Sequence, residues 1–176
     1  ALSGGSTPAG MFRRLSRCEL DWAKVWLTLV DERCAATDSP DCNERLLRQE
    51  LLQNGAAAAR FIGMADAGAN GLDALGEKIA AIPRPFSAVV LGMGGDGHTA
   101  SWFPQAQNLA ALLDPANPAD VALTDPVTAA HRRLGVRGGV RLWRRGCGLG
   151  ALRGGRRRVR RGRGKHGRAH RERGGK

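Results

Sequence analysis

Apolar residues along the first 114 positions fall into two alternating patterns. Short unbroken apolar runs predict buried strands: Leu2 at the start, residues 25–30 (VWLTLV) and residues 86–91 (FSAVVL). Between them, apolar residues recur at helical spacing: Met11, Phe12 and Leu15, then Leu46, Leu47 and Leu51, then Leu72, Leu75, Ile79 and Ile82. Each predicted strand runs into a glycine-rich or polar turn. Strands alternating with helices in this way predict an α/β domain with a largely parallel sheet.

The punctuation supports that division. Ser3-Gly4-Gly5-Ser6-Thr7-Pro8 opens the first helix, with Thr7 suited to the N-cap and Pro8 to the first helical position. The strand at 25–30 stops at Asp31-Glu32-Arg33. Asp41 and Glu44 then stand at capping-box spacing before the second helix, for which Gly55 is a stop. Pro83 and Pro85 close the third helix. The third strand leads into the densest signal in the chain, residues 92–101 (GMGGDGHTAS).

Charge splits the chain in two. Residues 1–130 carry 10 Lys and Arg against 15 Asp and Glu, whereas residues 131–176 carry 18 against 1, so the net charge of +12 comes from the tail alone. That tail holds 16 Arg and 13 Gly with no sustained period, too little apolar surface to offset the entropy of ordering. Two divisions are therefore expected: an α/β domain over 1–130 and a disordered Arg/Gly-rich tail over 131–176. Such a composition is also what a G+C-rich gene yields when read out of frame. A flexible cationic segment would bind nucleic-acid phosphates nonspecifically, but with Trp143 as its single aromatic residue it has no stacking platform for selected binding.

No apolar run approaches the ~20 residues that span a bilayer, and residues 1–10 lack the basic and apolar regions of a signal peptide, so a cytoplasmic protein is expected. Cys18, Cys34, Cys42 and Cys147 form no C-x-x-C pair and no cluster with histidine, which argues for reduced thiols and no metal.

In an open parallel sheet, ligands bind beyond the carboxyl ends of the strands, and three polar motifs converge there. Gly4, Gly5, Ser6 and Thr7 offer backbone N–H groups and two hydroxyls at a helix start, which suits either a phosphate or a plain tight turn. Asp31 and Arg33 at a strand end either supply a carboxylate and a fixed cation to a site or are simply solvated. Asp96 and His98, two apart in a loop with Gly94, Gly95 and Gly97, fit a histidine base oriented by a carboxylate. No G-x-G-x-x-G with its later acid, no G-K-[ST] and no G-x-S-x-G elbow is present, which excludes NAD, ATP and a serine nucleophile.

Taken in order, SGGSTP, the strand ending in VDER, the following DSPDCNERL, and LGMGGDGHTASWFP resemble the 6-phosphogluconolactonase family over roughly residues 1–130. The resemblance implies a Rossmann-like fold, mainly a parallel sheet flanked by helices, and hydrolysis of 6-phospho-D-glucono-1,5-lactone without metal or organic cofactor. It implies that Gly4, Gly5, Ser6 and Thr7 hold the substrate phosphate, that His98 takes a proton from the attacking water, and that Arg33 stabilises negative charge. Asp31, Asp96 and Asn43 match supporting positions of the same motifs. Related glucosamine-6-phosphate deaminases are the alternative, but they carry a glutamate where this chain has Phe103 and tend to an aromatic residue where it has Arg33. The family pattern has a strand and helix before SGGSTP and further units after His131, including a basic phosphate-holding residue. An incomplete sheet, and with it an inactive fragment, is the third expectation.

Overall fold

The computed structural model describes residues 1–65, 71–124 and 133–136. Its element order is α1 (Ala9–Leu15), β1 (Trp26–Thr28), β2 (Asp31–Arg33), α2 (Asn43–Glu50), β3 (Arg60–Ile62), α3 (Leu72–Ala80), α4 (Leu109–Leu113), β4 (Val121–Thr124) and β5 (Arg133–Val136). The α/β class and the parallel pairing expected from the apolar runs are present. β1 pairs with β3 in parallel, Trp26 opposite Arg60 and Thr28 opposite Ile62. Leu2 extends this layer through parallel bridges to Leu29 on one side and Val90 on the other.

The helices close over one core. Phe12 of α1, Leu47 of α2 and Ile79 of α3 are fully buried and join Leu2, Leu29, Leu51, Met64 and Leu134 in a single apolar cluster. Among the described residues, no helix is long and apolar enough to cross a membrane.

Several local expectations are corrected. Pro8, not Thr7, is the N-cap of α1, and no side chain caps it. The predicted strand at 86–91 is reduced to the single bridge at Val90, which accepts from the Ser3 N–H and donates to the Ala1 carbonyl. α2 stops at Glu50, ahead of Gly55. Its capping-box pair does not form: Cys42 is the N-cap and has no side-chain bond to the helix.

The largest departure follows β1. The charged triplet expected to follow the end of the strand is itself strand β2, at the edge of a three-stranded antiparallel sheet ordered β2-β5-β4. Its central strand is Arg133–Val136, four residues of the stretch that composition assigns to the tail; they pair with β2 at Asp31–Gly135, Glu32–Leu134 and Arg33–Arg133. Leu134 is fully buried between its neighbours. Residues 137–176, with the expected disordered segment and Cys147, lie outside the described residues.

Candidate active site

A cavity of about 520 Å³ opens where the first loop, β2, the start of α2 and the 92–103 segment meet. Of the residues singled out from sequence, Gly4, Thr7, Asp31, Arg33, Asn43, Gly94 and His98 line it. Gly5 and Ser6 do not; they stand exposed on the outer side of their loop, where Gly5 adopts a φ of +91° that favours glycine. Gly95, Asp96 and Gly97 also lie off the wall, although Asp96 reaches the site through His98.

The walls are built by close approach. A side chain on Gly4 would put its Cβ 1.9 Å from Oδ1 of Asn43, so the glycine makes room for that amide. Asn43, itself buried, donates from Nδ2 to the Asp31 carbonyl oxygen at 3.0 Å, tying α2 to β2. Gly94 has the same relation to the histidine, since its Cβ would lie 2.2 Å from Cε1 of His98. Gly94→Ala should therefore displace the imidazole and cost roughly 1–3 kcal/mol of stability. A chemical-denaturation curve together with the His98 ring resonances would check both.

The loop carrying His98 folds on itself. Gly94 donates to the His98 carbonyl at 2.8 Å, and Trp102 to the Thr99 carbonyl at 3.1 Å. Within it, Asp96 Oδ1 lies 2.5 Å from His98 Nδ1 and also accepts from the His98 backbone N–H at 3.2 Å. The hydrogen bond from His98 holds the Asp96 carboxyl below its usual range, so near neutral pH it is an ionised acceptor. That fixes Nδ1 as the donor and leaves Nε2 as the nitrogen able to take a proton.

Asp31 is buried and accepts from the Ser101 hydroxyl at 2.9 Å. Burial pushes its carboxyl up, opposed by that hydrogen bond and by the charges of Arg33, Arg133 and His98. These groups thus share one electrostatic environment. Arg33 donates from Nη1 to the Asp41 carbonyl, while its Nε and that of Arg133 are buried without a hydrogen-bond partner among the described residues. The two arginines face each other across β2 and β5. Like charges directly opposite are destabilising, and burial followed by the repulsion of Arg33 pulls the Arg133 guanidinium down from its ordinary range. An anion placed between the two guanidiniums relieves that cost.

Sequence reasoning missed three contributors. Arg133 lines the cavity but is hidden in an arginine-rich stretch. Ser101 follows His98 closely enough to have been considered with it. Glu32 is fully buried, and its carboxylate accepts from the backbone N–H groups of Arg33 at 2.7 Å, Asn43 at 2.8 Å and Glu44 at 2.7 Å, and from Cys42 Sγ at 3.4 Å. It thereby caps α2 from another element.

The chain has counterparts among known proteins. A model described as "Glucosamine-6-phosphate isomerases/6-phosphogluconolactonase" matches residues 1–136, through the end of β5. The 6-phosphogluconolactonase of Rhizobium meliloti is 46% identical over 137 residues, covering 76% of this chain and 59% of the relative. That of Neisseria meningitidis serogroup B is 39% identical over 140 residues, covering 77% and 61%. Among solved structures, a 6-phosphogluconolactonase from Shewanella baltica superimposes with a TM-score of 0.72 at 44% identity, over 79% of this chain and 60% of that one. The enzyme from Thermotoga maritima, at 24% identity, shares the fold with a TM-score of 0.62 over 77% and 61%. The chain thus spans about three-fifths of the length of the relatives it matches. With two glycine-backed walls, a carboxylate-held histidine and a match through β5, the chain belongs to the glucosamine-6-phosphate isomerase/6-phosphogluconolactonase family.

Proposed function

We propose that this site hydrolyses 6-phospho-D-glucono-1,5-lactone to 6-phosphogluconate. The observation that carries the reading is a histidine with a fixed donor nitrogen, sharing one cavity with two arginines whose Nε atoms lack partners among the described residues. Nε2 of His98 takes a proton as water adds to the lactone carbonyl. The resulting tetrahedral oxyanion is stabilised by guanidinium N–H groups, a contribution of about 3–4 kcal/mol for a well-placed donor. Collapse breaks the bond between the carbonyl carbon and the ring oxygen, and the imidazolium returns its proton to that oxygen. The product carboxylic acid then ionises in water.

The substrate brings a second anion, its phosphate. The Gly4–Thr7 loop remains the proposed phosphate contact, with Gly4 and Thr7 on the cavity wall, and one of the two arginines completes it. Asp31 interacts electrostatically with both Arg33 and Arg133, while burial pushes its carboxyl up. The names of the matched relatives favour lactone hydrolysis over the isomerase branch of the family. So does an apolar ring at Phe103, against the glutamate that the resemblance implies for the deaminases.

The test is turnover of freshly prepared lactone by the purified chain near neutral pH, measured above spontaneous hydrolysis. Arg133→Ala should reduce kcat/KM by roughly 10- to 100-fold, the worth of one charge-assisted hydrogen bond. A soluble, folded chain without turnover would overturn the proposal.

A further inference from the structure

Phe103 is 3% exposed, yet part of its ring forms the cavity wall. The His98 ring stacks on it with centroids 4.3 Å apart and planes inclined by 29°. The Arg133 guanidinium carbon lies 6.0 Å from the centroid of the same ring. One side chain therefore stacks on the imidazole and lies beneath the cation that β5 delivers. Among the described residues, the imidazole is otherwise held by Asp96, which bonds one nitrogen, and bounded by the close approach of Gly94. Neither fixes the tilt of the imidazole plane; a flat partner does.

We infer that Phe103 is a positioning residue that sets, through one aromatic ring, the placement of both His98 and Arg133. It acts through those two groups and takes no part in bond making. The functional weight of the inference rests on the lactonase reading, whereas the positioning itself can be read without turnover. A ring face attracts the charged form of an imidazole stacked on it and a guanidinium lying over it. An aliphatic side chain of similar volume keeps the burial and loses that attraction.

The experiment follows the His98 ring by NMR in the full chain, with its resonances assigned by their disappearance in His98→Ala. Asp96, bonded to the imidazole, and Asp31, Arg33 and Arg133, which share the site, remain in each variant. In Phe103→Leu, the His98 protons should lose the displacement that a neighbouring ring current gives them, and their through-space contacts to Gly94 should weaken as the imidazole plane swings. Phe103→Met provides the same comparison if the leucine variant does not fold, and Phe103→Tyr should keep parental behaviour. In turnover, the leucine variant should lower kcat and raise KM together, because base and cation both move. Unchanged contacts between the His98 ring and Gly94 in a folded Leu or Met variant would overturn the inference, whatever the activity. A parent that lacks turnover would overturn the lactonase reading instead, with the NMR comparison still deciding the role of the ring.

Discussion

His98→Ala should lower lactone turnover by roughly 10²- to 10⁴-fold, the range associated with removing a positioned general base. Because the lactone also hydrolyses on its own, the measurement is the enzyme-dependent rate after the spontaneous rate is subtracted. The variant should fold normally: His98 is partly exposed, and its removal leaves Asp96 in a solvated loop rather than as a buried lone charge. KM should change little, because substrate anchoring is assigned to the arginines and the Gly4–Thr7 loop. A loss confined to KM would assign His98 to binding and require another base.

Glu32→Leu should have the largest effect on stability, roughly 3–5 kcal/mol, read as a shift of the urea midpoint. The substitution leaves two buried backbone N–H groups, those of Asn43 and Glu44, and the partly buried one of Arg33 without their acceptor. Glu32→Gln, which keeps one acceptor oxygen, should lose less. The same carboxyl gives a pH signature. Burial pushes it up, against the four donors that hold it down. A carboxyl raised by folding binds its proton more tightly folded than unfolded. Its contribution to stability is therefore fully present below the unfolded glutamate value and is lost as pH rises through the raised folded value. In the glutamine variant that dependence should vanish.

These two residues illustrate what could be read from the chain. His98 was legible because its neighbours are glycines, and the Cβ geometry at Gly94 gives the reason: the loop must approach its own imidazole. α2 and α3 were legible because Leu47, Leu75 and Ile79 repeat at the helical period and enter the core. Glu32 was not, since a charged residue after an apolar run normally marks the exit to solvent. Here its worth depends on the distant N-terminus of α2, which no local pattern encodes. Residues 86–91 have the composition of a strand, but pairing is a property of neighbours, and within that segment only Val90 forms a bridge. Arg133-Leu134-Gly135-Val136 carries the alternation of a short strand, diluted beyond notice by the arginines and glycines around it.

The place of β5 in its sheet has a consequence for the chain as it is made. Synthesis runs from the N-terminus, and β2 is complete a hundred positions before the strand that pairs with it emerges. Because β5 lies between β2 and β4, neither outer strand has its partner until residue 136 has left the ribosome. Arg133 arrives with that strand, so the cavity gains its second guanidinium when β5 joins the sheet. A nascent chain released before residue 133 would hold His98, Asp96 and Arg33 but not the partner cation. Affinity for an anion would then mark the moment at which β5 has been inserted.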